Sequence, residues 1–415
     1  MDTIVFAIPV FFLLIVLEVI VTLIREKPFY RLNDAINSLS TGMLSVTTGI
    51  ASKLVIAGVY TAIYSVTALL ELSNSDPWVW VVAFVFYDFC YYWTHRMGHE
   101  INILWAAHAV HHQSEEYNLT TALRQTSTGF LFGWVFYIPM AVAGIPPLVY
   151  LTVGLINLLY QFWVHTRHIP KLGCYEWLFV TPSNHRVHHA KNRKYLDKNY
   201  GGVFIIWDRL FGTFVEEDDN YEPIRYGTLK PLRSWNPVWA NLQLYRDMWQ
   251  DARATKSWKD SLTLWFRKTG YRPKDVAEPM KMPDIHAYSN YDPEAPKGLN
   301  LYVAIQFLLQ VFATTALVGV SHIMPMAFSV LGALVLGYNL IVLGWLLEKK
   351  ESLLRLEGPR FGLTVAASAL SLWLFESPAW LLHTCLVTAA LSLIVMTQAR
   401  LYEVRLVGQI RIENS

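Results

Sequence analysis

The stretch WVWVVAFVFYDFCYYWTHRMGHEINILWAAHAVHH, residues 78–112, runs from an apolar, aromatic segment straight into two groups of histidines. Its apolar part, 78–93, holds one charged residue, Asp88. We read that part as one membrane crossing, for which ~20 mainly apolar residues are needed. Beyond it, His95 and His99 form an HxxxH pair, and His108, His111 and His112 form HxxHH. Residues three and four apart share a helix face, so each group can direct two or three imidazoles at one point.

Working outward, the same apolar character recurs along the chain. With 53% hydrophobic and 14% aromatic residues, the composition is that of a membrane protein and not of an ordinary soluble one. The run 4–24 contains a single acid, Glu18. Because no basic segment precedes it and Arg25, Glu26 and Lys27 follow at once, it reads as a retained first span and not as a cleaved signal. Further runs cover 44–72, interrupted by Lys53, then 130–143 and 147–164; the last two are separated only by Gly144, Ile145 and Pro146 and read as a tight helical hairpin. Residues 165–297 turn polar, and short apolar pieces such as 203–207 are too broken to span. Between 235 and 272, Trp239, Trp249, Trp258 and Trp265 alternate with basic residues, as in helices lying on a membrane surface or in soluble packing. Four more runs, near 299–320, 326–347, 361–375 and 380–396, bring the total to about nine crossings.

The expected fold is therefore an all-α polytopic membrane protein. It divides into 1–298, a membrane-embedded unit with a helical cap carrying the histidines, and 299–415, a four-helix transmembrane region. Lys and Arg are retained on the cytosolic side of a membrane. With nine spans, Arg25, Lys27, Arg31, the loop around 95–124, the segment 171–297, Lys349 to Arg360 and the tail with Arg400, Arg405 and Arg411 share one side. The opposite loops near 73–77, 144–146, His322 and Ser377 carry no Lys or Arg. This puts the histidine groups and the C-terminus in the cytosol. A net charge of only +2 gives no basic face for nucleic acid.

Ten of the thirteen histidines fall between His95 and His189, nearly all just beyond the ends of apolar runs. A second HxxHH is made by His185, His188 and His189. Cys90, Cys174 and Cys385 are far apart and in no CxxC pattern, so a metal would be held by nitrogen and oxygen. One ion takes about four protein ligands, so eight or more imidazoles imply two ions. Imidazole suits iron, zinc, copper and nickel alike. The residue four after His99 is Ile103, so the zinc-protease motif HExxH is missing; the Glu-x-x-His helices of soluble di-iron bundles are missing too. Gln161 and His165, one helical turn apart, are further candidate ligands from another helix, the glutamine directly or through water. His168 is a weaker one, since Pro170 ends any helix soon after it. Among polar neighbours that could accept a proton from a ligating imidazole, Asp88 stands out, because an unpaired carboxylate inside an apolar run is costly. Glu100, Glu115, Glu116, Asn118, Arg124, Gln125, Asn184 and Asp197 are others.

Three stretches, YYWTHRMGHEINILWAAHAVHHQSEEYNLTTALRQ (91–125), LLYQFWVHT (158–166) and TPSNHRVHHAKNRKYLDKNYGGVFIIWDRLFGTF (181–214), resemble the fatty-acid hydroxylase superfamily of membrane di-iron oxygenases. They are most similar to its alkylglycerol monooxygenase branch. The resemblance implies that His95, His99, His108, His111, His112, His165, His185, His188 and His189 hold two irons, with Gln161 where relatives have a His or Asn. His168 does not match. It further implies oxygen as co-substrate, tetrahydrobiopterin as reductant with Glu100 associated with activity and with the pterin, and hydroxylation of the ether-linked carbon of an alkylglycerol to release fatty aldehyde and glycerol. Two competing readings are a hydroxylase or desaturase of a sterol, aminolipid or carotenoid using a protein electron donor, and a metal transporter. Transporters place polar sites near the bilayer midplane on interrupted helices, whereas these histidines lie at or beyond the ends of the runs.

Overall fold

In a computed structural model, residues 2–278, 282–287, 289–348, 353–376, 379–380, 382–383, 386–392 and 394 are described. Among them the chain is helical, with isolated β-bridges and no strand. In order the helices are α1 (Asp2–Ile24), α2 (Leu32–Thr67), α3 (Pro77–Glu100), α4 (Asn102–His112), α5 (Leu119–Ala122), α6 (Ile138–Val142), α7 (Pro147–Trp163), α8 (Pro182–His188), α9 (Ile206–Leu210), α10 (Pro237–Ala254), α11 (Trp258–Thr263), α12 (Lys297–Val320), α13 (Met326–Leu347) and α14 (Leu353–Phe375).

Three of these, α1, α12 and α13, are long and apolar enough to cross a membrane, and α2, whose halves meet at a 44° bend, makes a fourth if counted as one span. The acid inside α1 is fully paired: Glu18 accepts from the Tyr30 hydroxyl, from the Leu119 N–H at 2.8 Å and from the Thr166 hydroxyl at 2.5 Å. The run 78–93 lies inside α3, which continues without a break through both histidines of the HxxxH pair. The run 147–164 is the 17-residue α7. The run 130–143 departs from the helical hairpin expected of it. It forms two 3-10 turns, Gly129–Leu131 and Gly133–Tyr137, followed by the short α6. Two glycines spaced by four and the proline at 139 weaken a continuous α-helix there. The tight turn after α6 is present. Gly144 takes a φ of +92°, and a Cβ on it would lie 2.1 Å from the Leu70 carbonyl oxygen, so only glycine fits. The run 361–375 lies in α14, while 380–396 and the basic tail lie partly or wholly outside the described residues.

Two buried clusters hold the frame. One packs α3 (Val79, Ala83) against α6 (Met140, Ala141) and α7 (Val149, Val153). The other joins Ile15 of α1 and Ile36 of α2 to Tyr302, Phe307 and Leu340 of α12 and α13, so the core runs across residue 298. At the far end of α3 the chain turns sharply into α4. Asn102 fastens this corner, its N–H donating to the Arg267 carbonyl at 2.9 Å and its side-chain amide to the Leu264 carbonyl at 2.8 Å. Helix α10, capped by the Asn236 side chain, packs beside α4 and leaves Trp249 57% exposed; Trp258 on α11 is 77% exposed.

Candidate metal centre

The ends of α3, α4, α7 and α8 converge, and their nine imidazoles sort into two groups. His95, His99, His108, His112 and His188 form one, and His111, His165, His185 and His189 the other; the candidate donor atoms of each group lie within 4.8 Å of one another. Each HxxHH motif therefore serves both groups. Residues four apart, His108 with His112 and His185 with His189, point the same way, whereas adjacent residues on a helix diverge by ~100°. His111 and His188 are thus turned to the other group, so each HxxHH motif aims two imidazoles at one point and the third at the other.

Within the five-histidine group, His108 Nε2 lies 3.1 Å from His95 Nε2 and 3.0 Å from His112 Nε2, and His188 Nε2 is 3.2 Å from His112 Nε2. In the four-histidine group His165 Nε2 stands 3.2 Å from His111 Nε2 and 3.1 Å from His185 Nε2, and His189 Nε2 is 3.2 Å from His185 Nε2. On four rings the opposite nitrogen is committed. The Nδ1–H of His95 donates to the Tyr200 carbonyl (2.8 Å), that of His111 to Arg124 (2.8 Å), that of His165 to Gln161 (2.8 Å) and that of His188 to Lys198 (2.9 Å). With Nδ1 protonated, these rings direct Nε2 lone pairs inward, and lone pairs at such spacing repel unless a cation sits among them. Neighbouring nitrogens at ~2.1 Å from one octahedral ion lie ~3.0 Å apart, so the spacing fits a metal. Nε2 of His99 is buried without a hydrogen-bond partner, as a ligand atom would be in a structure that carries no ion.

Electrostatics agree with this. Burial first, with neighbouring positive charge adding to it for all of them, holds all nine imidazoles below their ordinary range, His95 down to about 3 and His111 to about 4. They are neutral at physiological pH and ready to ligate without losing a proton. No carboxylate belongs to either group.

The surrounding polar residues mostly hold the frame. Arg124 is fully buried, its Nε donating to the Val110 carbonyl (2.6 Å) and one Nη to Asn37 Oδ1 (2.6 Å); burial lowers it to about 10. It thereby positions the carbonyl that receives His111. Asn184 completes the capping box of α8 with Thr181, setting the start of the short helix that carries the third motif. Glu116 pairs with Arg31 (2.7 Å) and Arg167 (2.6 Å). Glu115 accepts from the Tyr291 N–H, Asn118 caps α5, and the Gln125 amide donates to the Ala122 carbonyl.

Several expected residues take other places. Asp88 bonds no imidazole. Its two oxygens accept from Asn157 Nδ2 (2.7 Å), Val203 N–H (2.8 Å), Phe204 N–H (3.0 Å) and Trp207 Nε1–H (2.9 Å), so it pins the loop that supplies the Tyr200 carbonyl. Gly202 is needed at that contact, since a Cβ there would sit 2.7 Å from the Tyr91 ring and 2.9 Å from Asp88 Oδ1. Both ends of the Gln161 side chain are occupied, Oε1 by the Tyr91 hydroxyl (2.6 Å) and Nε2 by Asn157 Oδ1 (2.6 Å); only its backbone carbonyl reaches a ligand, His165. His168 Nε2 lies 2.7 Å from the Thr22 hydroxyl, outside both groups. Glu100 pairs with Arg96 at 2.9 Å on the rim, and Asp197, at a φ of +56°, lies 3.7 Å from His99 Nδ1. Asp208 was missed. It accepts from the Tyr200 N–H (2.7 Å), Gly201 N–H (2.7 Å) and Thr213 hydroxyl (2.6 Å), holding the same loop from its other side. An acid within the apolar piece after 203 was the available signal.

Residues 80–213 match the fatty acid hydroxylase family, and with two groups of neutral imidazoles, enough for two metal ions at helix ends, they define a histidine-built membrane oxygenase domain. That segment contains all nine clustered histidines. Over more of the chain, it is similar to alkylglycerol monooxygenases: 41% identical to that of Xenopus tropicalis over 72% of this chain and 67% of the relative. The human enzyme is 37% identical over 80% and 77%, and that of Danio rerio 37% over 85% and 79%. The chain belongs to the alkylglycerol monooxygenase family. No solved structure matches it.

Proposed function

We propose that this protein is a di-iron lipid monooxygenase that hydroxylates the ether-linked carbon of alkylglycerols. The observation that carries the reading is the division of nine neutral imidazoles, eight of them buried, into groups of five and four, in a chain similar over most of its length to enzymes of that name. Two bound irons would supply oxygen activation. In the overall balance, one oxygen atom of O2 enters a C–H bond next to the ether oxygen, and the other leaves as water with two electrons and two protons. The hemiacetal then breaks its C–O bond, its hydroxyl proton passing to the glycerol oxygen, to give fatty aldehyde and glycerol.

The chain's own residues orient the ligands and keep bulk water out. Carbonyls of Tyr200, Arg124, Gln161 and Lys198 fix the tautomers of four ligands. Trp105 lies against His99 and His112, and Tyr117 against His165 and His189, closing two sides. We assign the reductant, tetrahydrobiopterin, to the rim carrying Glu100, whose one-third exposed carboxylate could bond a pterin ring. Nine spans, with the region 299–415 forming the C-terminal four and the histidines facing the cytosol, complete the proposal; the oxygen and pterin then arrive from water and the lipid from the leaflet. A transporter must release its ion, and four or five converging imidazoles per ion favour retention instead. The test is anaerobic iron analysis of the purified protein coupled to product detection on an alkylglycerol with and without pterin. Aldehyde formed only with pterin, at about two irons per chain, is the expected result; a metal-free or pterin-independent reaction would overturn it.

A further inference from the structure

We propose that the ether-proximal part of the substrate's alkyl chain lies in a groove walled by α3, α4 and the 3-10 turns of 129–137, and that it meets the five-histidine group and not the four-histidine group. The inference rests on the lipid monooxygenase reading above.

A cavity of about 120 Å³ ends on His95 and His108. Its other walls include Thr94, Gly98, Leu104, Ala107, Phe132 and Phe136, and no charged side chain lines it. None of His111, His165, His185 and His189 borders it. His108 is also the one clustered histidine that is only half-buried, as a ring facing a cavity would be. An uncharged, mainly apolar passage onto one group admits hydrocarbon and penalises a charged headgroup.

The outer wall supports the same occupant. Leu131 and Val135, on the outside of the two turns, are 50% and 48% exposed, an apolar face of the kind that lipid covers. The turns lie where the sequence predicts a regular membrane helix, and 3-10 stretches of this sort recur at functional hinges. At 120 Å³ the cavity is below the ~300–1,000 Å³ of a complete ligand pocket, so it holds only the reacting end of a long chain. The remainder extends outward past Leu131 and Val135.

Gly133 offers the cleanest probe. A Cβ there would find its nearest neighbour, Thr94 Cγ2, at 4.0 Å, and its φ is not in the left-handed region, so a side chain is tolerated locally and fills the groove. The experiment uses the full-length, iron-loaded enzyme and a 1-O-alkylglycerol bearing a diazirine on an early chain carbon. Photolabelling of the wild type is expected within residues 104–107 and 126–136. G133L should lose that labelling and raise KM by about tenfold, the value of two methylenes displaced from an apolar site, with iron content at the wild-type level. F136A, which enlarges the groove, should accept chains branched near the ether that the wild type rejects. Unchanged labelling and KM in G133L would overturn the proposal. So would labels on the C-terminal helices, where a larger cavity of about 420 Å³ is lined by Gln310, Asn339 and Thr364. Labelling of the groove by a sterol or acyl-amide diazirine but not by the alkylglycerol probe would uphold the groove and remove the ether-lipid reading.

Discussion

Replacing Asp88 by Asn should loosen one iron while sparing the other. The side chain is fully buried, and each of its oxygens serves two donors, Oδ1 those of Asn157 and Val203, Oδ2 those of Phe204 and Trp207. Asparagine keeps the shape but turns one oxygen into a donor, so in either orientation two buried N–H groups face an NH2. At about 1–3 kcal/mol for each unpaired buried donor, the substitution costs about 2–6 kcal/mol. The loss falls on the loop that begins at Tyr200, whose carbonyl holds the His95 Nδ1–H at 2.8 Å. Asp208 still grips Tyr200 and Gly201, so the loop shifts without unfolding. Disturbing an outer partner of a ligand weakens metal affinity by about 10–100-fold. Only the five-histidine group includes His95. Iron per chain, measured after dialysis against a graded chelator, should therefore fall from about two to about one at a concentration that leaves the wild type full. The thermal midpoint of the metal-free protein should fall as well. Two irons retained under the same challenge, with an unchanged midpoint, would refute the reasoning that links Asp88 to His95 through the loop.

Four further outcomes are expected. His111→Ala and His112→Ala, at adjacent positions, should empty different sites, so that iron spectroscopy of the two variants gives two distinct residual signals; identical spectra would contradict the division. Gln161→Leu should keep both irons, because its side chain binds Tyr91 and Asn157 and its backbone carbonyl survives the change; loss of one iron would make the side chain a ligand. Glu100→Gln should leave iron content intact and raise the pterin KM by about tenfold, the value of one charge-assisted hydrogen bond; an unchanged pterin dependence would end its proposed role. The metal-free protein should lose stability in acid. His95 and His111, held near 3 and 4 in the fold, bind protons more readily when unfolded, where the ordinary value is about 6.5. The unfolded state therefore takes up more protons between pH 6.5 and 4, so stability is full above that window and declines as pH falls through it. Chemical unfolding at pH 7.5 and at pH 5 measures the difference.

Helix-period histidines were enough to identify the metal site, because four-residue spacing puts His95 with His99, His108 with His112 and His185 with His189 on shared faces. The allocation of ligands between ions was not legible in the same way. It depends on how α4 and α8 face one another, and that is set in part by Asn102 and Arg124, whose bonds to Leu264 and Asn37 connect segments far apart in the chain. Asp88 was recognisable as a buried acid needing partners, yet its donors come from residues 157 and 203–207, and no local pattern announces them. Gln161 illustrates the limit from the other direction: one turn from His165 it has ligand spacing, but the phenol of Tyr91 reaches it first. The run 130–143 had sufficient apolar length for a helix, and Gly133 and Pro139 within it altered the outcome.

The shortage of carboxylates around two cations has a structural answer. His95 and His99 lie in the last turns of α3, His108 to His112 end α4, His165 follows the end of α7, and His185 to His189 end α8. Four helices thus present C-terminal ends to the site. Each such end carries ~0.5 of a negative charge from carbonyls without an intrahelical partner. The carbonyls of Gln161, Tyr200, Arg124 and Lys198 add to this by accepting the Nδ1–H of four ligands, which raises the basicity of the nitrogens facing the ions. Compensation by fixed dipoles instead of acids would leave bound ions with neutral ligands and a high net charge. It also explains why His95, His99 and His165 occur where the apolar runs of α3 and α7 stop: the helix end that leaves the run is the end with free carbonyls, and a cation held there would be stabilised by the same backbone that carries its ligands.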